Sequence, residues 1–354
     1  MENLKSLRQR IDRLDSEIVS SLNKRLEITL KIRKIKKNLG KGIYSPEREV
    51  ELIRRLKQIK HPLLSDSALE AIYREIMSSS LALEKPLRIA YLGPEATFTH
   101  LAAIKRFGSQ LEYLACGSIA DVFKEVERAN ADYGVVPVEN SIEGAVTHTM
   151  DMLVDSDLKI CAQIVMNVSH NLLSRYSKEN IKRIYSNPQV FAQCRLWLQK
   201  NFPHIELIDS ASTTRAAQIV QKEKNSACIA SILASTVYKL KIIAQSIEDS
   251  PNNITRFLVI GNTSAGASGR DRTSIVFSIK DKVGALYDLL SSFKKYRINL
   301  TRIESRPSKK KAWDYYFFAD LEGHIQDKNV SRALAELERQ AKYLKVLGSY
   351  PQGE

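Results

Sequence analysis

Arg25 and Lys36 stand eleven residues apart in a helix-forming stretch. At 3.6 residues per turn that spacing brings them to nearly one face, about 16 Å apart along the axis. Two cations so placed could hold one small dianion between them. Arg8 precedes Arg25 by 17 residues, which sets it roughly 25 Å away and rotated by about 100°. A straight helix cannot bring it to the same ligand, so if Arg8 takes part a second copy of the chain supplies it. KIRKIKK, read by itself, is also what the solvated face of a helix looks like.

The elements that must position these groups fall into three segments. Residues 4 to 39 read as one helix, with Leu4, Leu7, Ile11, Leu14, Ile18 and Leu22 on one face and Ile28, Ile32, Ile35 and Leu39 continuing it. Gly40 and Gly42 stop it. Ser45-Pro46 predicts a capped second helix to about Lys60, and Asp66 to Glu84 a third. One long helix cannot bury its apolar stripe against two short ones, so this unit is expected to be an obligate dimer. From Leu87 the period changes. LRIAYLG, YGVVPVEN, KICAQIV, IKRIYSN, IELIDS, SACIAS and RFLVIGN predict strands alternating with helices, ending repeatedly in polar motifs where open α/β sheets place ligands. No GxGxxG follows the first strand, so a dinucleotide is not expected. NTSAGASGRDR reads as a linker, and beyond it the order strand, helix, strand, strand, helix, strand is ferredoxin-like. The expected division is 1–85 helical, 87–262 α/β, 263–272 linker and 273–350 α+β.

The formal charge of +14 invites a nucleic-acid reading. Its distribution argues otherwise, because residues 1–85 hold 19 Lys and Arg against 12 Asp and Glu, about half the excess, with no recognition module or aromatic platform. No apolar run approaches the ~20 residues of a membrane span, and the N-terminus lacks a signal-peptide pattern, so a cytoplasmic protein without membrane partners is expected. Cys116, Cys161, Cys194 and Cys228 show no ligand spacing; buried free thiols, no metal and no cofactor follow.

Residues 4–84, including LRQRIDRLDSEIVSSLNKR, resemble the all-helical chorismate mutase family. The resemblance implies that Arg8 (from the neighbouring subunit), Arg25 and Arg48 contact substrate carboxylates, that Lys36 and Glu84 face the ether oxygen, that Glu49 holds the substrate hydroxyl, and that Ser80 belongs to the site. A [3,3] rearrangement needs no nucleophile, only a cage that holds the reactive conformer and stabilises negative charge on the ether oxygen. LGPEATFTH, YGVVPVENSIEGAV, YSNPQVFAQC and SPNNITRFLVIG resemble prephenate dehydratases, in order and spacing. That implies two lobes like those of a periplasmic binding protein, with prephenate between them. Thr255 would donate a hydrogen bond to the leaving hydroxyl, Asn140, Ser186 and Gln193 would position substrate, Glu139 would support them, and Ser212 and Thr213 would add hydroxyl contacts. Arg256 is left with two roles, binding a carboxylate or pairing internally. Ala96 and Asn187 depart from residues frequent in that family.

GALYDLL and LTRIESRP resemble the ACT domain of phenylalanine-inhibited dehydratases, implying effector contacts at Gly284, Ala285, Leu286, Glu304 and Ser305 between two copies. The whole is similar to bifunctional chorismate mutase/prephenate dehydratases with a C-terminal ACT domain, acting on chorismate and prephenate. The competing reading is a two-lobed amino-acid-binding sensor joined to a helical dimerisation module. Glu84 can donate to the ether oxygen only when protonated, which requires a pKa well above the usual ~4.3. Mutase activity is therefore expected to fall as pH rises and to flatten in Glu84→Gln; an unchanged profile in the variant would remove this role.

Overall fold

The computed structural model describes residues 3–38, 42–280, 282–308 and 315–352, apart from the side chains of Lys37 and Glu84. It divides into two units, Met1–Leu87 with Phe107–Glu112, and Arg88–Arg106 with Tyr113–Glu354.

In the first unit three helices, Leu4–Asn38, Pro46–Lys57 and Asp66–Glu84, follow the expected pattern. Ser65 caps the third, its hydroxyl accepting from the Ala68 N–H at 3.2 Å. Ser45, expected to cap the second, does not. Its hydroxyl instead accepts from Lys36 Nζ at 3.1 Å, tying the loop to the long helix. Ile53, Leu56, Leu69 and Met77 form a small core. Ile11, Leu14 and Ile18 on the long helix each stay more than half exposed, as the surplus of apolar surface predicts. A segment from the α/β region, Phe107–Glu112, also belongs to this unit. The Ser109 N–H donates to the Glu75 carboxylate at 3.1 Å. Gly108 is in the left-handed region at φ +79, where a Cβ would come within 2.4 Å of Ser78 Cβ, so only glycine fits.

The second unit holds three sheets. The first lobe orders its strands Glu112–Cys116, Arg88–Leu92, Tyr133–Asn140, Ile254–Gly261, Lys159–Asn167. The second orders Lys241–Ala244, Asn171–Ser174, Ser226–Ala230, Arg183–Ser186, Glu206–Asp209. The chain leaves the first lobe after Asn167 and returns at Ile254, so two neighbouring strands carry both crossings. The sequence reading missed Glu112–Cys116, Asn171–Ser174 and Lys241–Ala244; the first and last are edge strands with half their residues or more exposed, and the second, though buried, is only four residues long.

The third sheet is antiparallel, in the order Leu300–Pro307, Tyr315–Glu322, Asp271–Ser278, Tyr343–Pro351, with helices Ala285–Lys295 and Lys328–Gln340. This is the ferredoxin-like βαββαβ order, and its sheet packs on both faces, while the edge strand Leu300–Pro307 stays partly exposed. Ile275, Phe277, Ala319 and Leu321 pack under the two helices. Val276, Phe318, Leu347 and Tyr350 join the core of the first lobe, with Val136, Val138 and Leu258. The expected linker is not a tether. Ala265 is buried in that shared core, and the strand begins two residues early at Asp271, whose carboxylate accepts from the Ser268 and Gly269 N–H groups at 2.9 and 3.0 Å.

The last strand abuts the first lobe so closely that a Cβ on Gly348 would sit 2.2 Å from the Ile160 carbonyl oxygen. Backbone cannot yield as a flexible side chain can. Gly348→Ala is therefore expected to lower the unfolding free energy by about 1–3 kcal/mol, read by urea denaturation; an unchanged midpoint would contradict this close approach.

Candidate functional site

Between the two lobes lies an open cleft of about 450 Å3, lined by Thr97, Phe98, Asn140, Val146, His170, Asn187, Gln189, Gln193, Ser212, Thr213, Asn253 and Thr255 among others. Thr255 pairs with Asn140 across two antiparallel strands, and Asn140 Nδ2 donates to Thr255 Oγ1 at 2.8 Å. The same amide donates to Asn253 Oδ1 at 2.8 Å, while Asn140 Oδ1 accepts from the N–H groups of Ile142 and Glu143 at 2.9 and 3.1 Å. Gln193 Oε1 accepts from Asn253 Nδ2 at 3.3 Å and from His170 Nε2 at 2.7 Å. These bonds have a direction. The side-chain oxygens of Asn140, Asn253 and Gln193 are engaged as acceptors, so what the network leaves for a ligand is donors, the Thr255 O–H and the Gln193 amide N–H groups.

Helix starts add to this polarity. Thr97, Phe98 and Thr99 open Phe98–Phe107, Val146 precedes Thr147–Asp155, Asn187 precedes Pro188–Gln193, and Ser212 and Thr213 open Thr213–Val220. Unpaired N–H groups and the positive helix ends favour an anion there. Asn187 Oδ1 caps its helix by accepting from Gln189 N–H at 3.0 Å, which fixes the short helix that ends in Gln193. Ser212 likewise accepts from Arg215 N–H at 3.0 Å. Ala96, next to the cleft, has φ +67, a conformation that glycine adopts more readily.

No arginine or lysine lines the cleft among the described residues. Arg256 follows Thr255 on the same strand, and successive side chains alternate faces, so its guanidinium lies on the opposite side of the sheet. There it pairs with Asp320 at 2.7 Å and Glu139 at 3.2 Å. Internal pairing is thus the role the geometry gives it. Burial works against its charge, and the Asp320 carboxylate, with Tyr350 and Glu139, together offset this and raise its pKa. Burial also opposes the charge of Asp320, and Arg256, the Ser274 hydroxyl and Arg272 together hold that carboxyl below its usual value. Ser274 Oγ donates to Asp320 at 2.5 Å. Arg302 reaches Glu139 at 3.4 Å and Glu304 at 2.5 Å. Glu139, expected to support the residues that position substrate, is part of this ion chain. Ser186 is also outside the cleft, fully buried with its hydroxyl donating to the Ile229 carbonyl at 2.9 Å.

In the helical unit Arg25 Nη1 donates to Ser80 Oγ at 2.5 Å, and burial lowers the Arg25 pKa. Lys36 Nζ also donates to the Ile43 carbonyl at 2.9 Å. Glu49 is buried against Arg74 at 3.0 Å. Arg48 is exposed and paired with Glu51, and Arg8 is exposed. The Glu84 side chain lies outside the described residues.

The C-terminal candidates separate. Gly284 (φ +79) precedes the helix begun by Ala285, where added side-chain atoms would meet open space. Leu286 packs partly against the domain core. Ser305 pairs with Phe317 and belongs to the helix-covered face. Glu304 pairs with Phe318 on the face turned to the first lobe, so it does not share a surface with Gly284.

Asn253 and His170 were not among the residues expected at the site. Asn253 could have been found, since it precedes Thr255 by two residues and so shares its face. His170 carried no signal in its local sequence, and long-range packing brings it in. Burial lowers its pKa. The neutral ring donates through Nε2, leaving Nδ1 buried with no hydrogen-bond partner among the described residues.

Comparisons with known proteins agree with this division. Residues 7–85 match the family described as Chorismate mutase type II, 89–265 Prephenate dehydratase, and 273–339 ACT domain. A bifunctional chorismate mutase/prephenate dehydratase of Aquifex aeolicus is 49% identical over 99% of this chain and 98% of its own. One from Pseudomonas aeruginosa is 43% identical over 99% and 98%. A solved structure of prephenate dehydratase from Arthrobacter aurescens in complex with L-Phe is 31% identical, with a TM-score of 0.69, over 75% of this chain and 90% of that one.

A histidine whose folded pKa lies below the unfolded value of about 6.5 stabilises the fold fully above that value and loses its contribution as pH falls through the folded pKa. His100, buried on Tyr91, behaves alike. The melting temperature should therefore fall between pH 7 and pH 5, and fall less in His170→Gln; equal slopes would contradict the buried neutral ring.

Proposed function

The chain belongs to the bifunctional chorismate mutase/prephenate dehydratase family, and on that premise we propose that the interlobe cleft is where prephenate loses its ring carboxylate and hydroxyl, with Thr255 donating to the departing oxygen. The observation that carries this is the direction of one hydrogen bond: Thr255 Oγ1 accepts from Asn140, which leaves the hydroxyl proton for a ligand. As the bond to the ring carboxylate breaks, its electrons enter the ring, the carbon–oxygen bond cleaves and aromatisation drives the fragmentation. Hydroxide is a poor leaving group, so a preorganised donor at that oxygen lowers the barrier more than it aids binding. The substrate carboxylates are assigned to Gln193 and to the helix starts carrying Thr97, Ser212 and Thr213, because Arg256 is turned away.

The helical unit performs the preceding rearrangement of chorismate. We assign Arg25, Lys36, Glu49 and Ser80 to one half of that site, with Arg8 supplied by the long helix of a second copy. The apolar stripe of Ile11, Leu14 and Ile18 left exposed on that helix supports a homodimer. Phenylalanine is assigned as a feedback effector at the start of the Ala285–Lys295 helix, in front of Gly284, with Ser305 on the same face of the domain. Exposed Val283, Tyr287 and Ile303 nearby support a site completed by a second copy.

Incubation with chorismate, following prephenate and phenylpyruvate separately with and without phenylalanine, tests the two reactions and their regulation; prephenate that accumulates without conversion would overturn the cleft assignment. In Thr255→Ala the dehydratase kcat should fall by at least about 100-fold, in the range of a lost transition-state donor, with KM nearly unchanged and the mutase intact; near-normal turnover would remove Thr255 from this role.

A further inference from the structure

We propose that Asp320, a residue of the C-terminal ferredoxin-like domain, is a positioning residue for the dehydratase, acting through Arg256 to hold Thr255 against Asn140; this rests on the reading of Thr255 given above. Thr255 and Arg256 are neighbours on one strand, and the register between that strand and Tyr133–Asn140 shifts immediately after them, between Arg256 and Phe257. On that side the ladder is locally disrupted, while the pairing with Lys159–Asn167 runs unbroken from Ile254 to Val259, so the ion cluster adds its hold on the side where the ladder is weaker. Asn140 and Glu139 repeat the arrangement on the partner strand, one facing the cleft and the other reaching Arg256 at 3.2 Å. Both halves of the Thr255–Asn140 pair are thus backed by a charged neighbour in the same ion cluster.

Asp320 is the fixed end of that cluster. It is 5% exposed, bonds Arg256 at 2.7 Å, and is aimed by Ser274 Oγ, which in turn lies 2.7 Å from the hydroxyl of fully buried Tyr350. Glu139, the other partner of Arg256, is more than a third exposed and cannot fix the guanidinium as firmly. The two carboxylates are not equivalent, and the one that anchors comes from outside the catalytic lobes. Misplacement of a reacting group by about 1 Å can cost on the order of 100-fold in rate, so an anchor of this kind matters without touching substrate.

The test uses the full chain with both activities measured. Asp320→Asn keeps shape and removes charge. Its dehydratase kcat should fall at least tenfold with KM within threefold of the parent, while the mutase rate is unchanged. Ser274→Ala, a milder change that frees Asp320 to turn, should lower kcat about threefold and serves if Asp320→Asn does not fold. Lys345→Met is the control. Lys345 Nζ donates to the carbonyls of Leu153, Val154 and Ser156 at 2.6 to 3.1 Å, so its loss loosens the same domain junction without touching Arg256; kcat should stay within twofold. Dehydratase turnover within twofold of the parent in both Asp320→Asn and Ser274→Ala would overturn the proposal, as would an equal loss in Lys345→Met. Near-normal turnover in Thr255→Ala, measured alongside, would overturn the underlying reading and this proposal with it.

Discussion

The alternation of side chains along a β-strand is the constraint from which the arrangement of the second unit follows. Ile254–Gly261 is covered on both faces, so each of its residues must satisfy one of two different environments. Thr255 and Phe257 face the cleft, and Arg256 and Leu258 face the C-terminal sheet. A buried guanidinium needs compensation on its own side, and among the described residues Glu139 and Asp320 supply it. The C-terminal domain is thereby drawn into the electrostatics of the catalytic strand. Its sheet repeats the logic, with Phe317, Ala319 and Leu321 under the helices and Phe318 and Asp320 toward the lobe.

Two successive reactions on closely related dianions are met by different physics. The rearrangement needs charge stabilised on an ether oxygen, and the helical unit offers Arg25 and Lys36. The fragmentation needs a hydroxide persuaded to leave. For that a wall of neutral donors and helix starts has an advantage over cations, because it does not hold the ring carboxylate in its charged form while carbon dioxide departs. The hydrogen-bond network from His170 through Gln193, Asn253 and Asn140 to Thr255 turns each oxygen inward and leaves N–H and O–H groups outward.

Much of this was legible in the residues. Helix extents in the first unit, the α/β alternation and the βαββαβ tail follow from period and capping, which are local. Thr255, Asn140 and Gln193 were reached through the resemblance of their motifs, and all three line one cleft. What escaped depends on partners far away in sequence. His170 enters the cleft only through packing, and Ser186 leaves it because the sheet supplies Ile229 as an acceptor. Glu139 was expected to support the substrate-positioning residues, and its partners are Arg256 on the next strand and Arg302 in another domain. The glycine-rich stretch 263–270 has the composition of a tether, and composition cannot reveal that Ala265 fills a shared core. Ser45 has the type of a cap, but Lys36 claims its hydroxyl.

The two faces of the C-terminal sheet are under unequal obligations. One is committed to the catalytic lobe through Asp320, Phe318, Tyr350 and the side-chain-free approach of Gly348 to Ile160. The other carries the domain's own helices and an open, glycine-fronted helix start. Evolutionary drift in what the domain senses is therefore channelled to the helix-covered face, where substitutions leave the junction untouched. A descendant could acquire a new effector there while keeping its catalytic strand in place, whereas replacing the whole domain with an unrelated sensor would remove part of the catalyst.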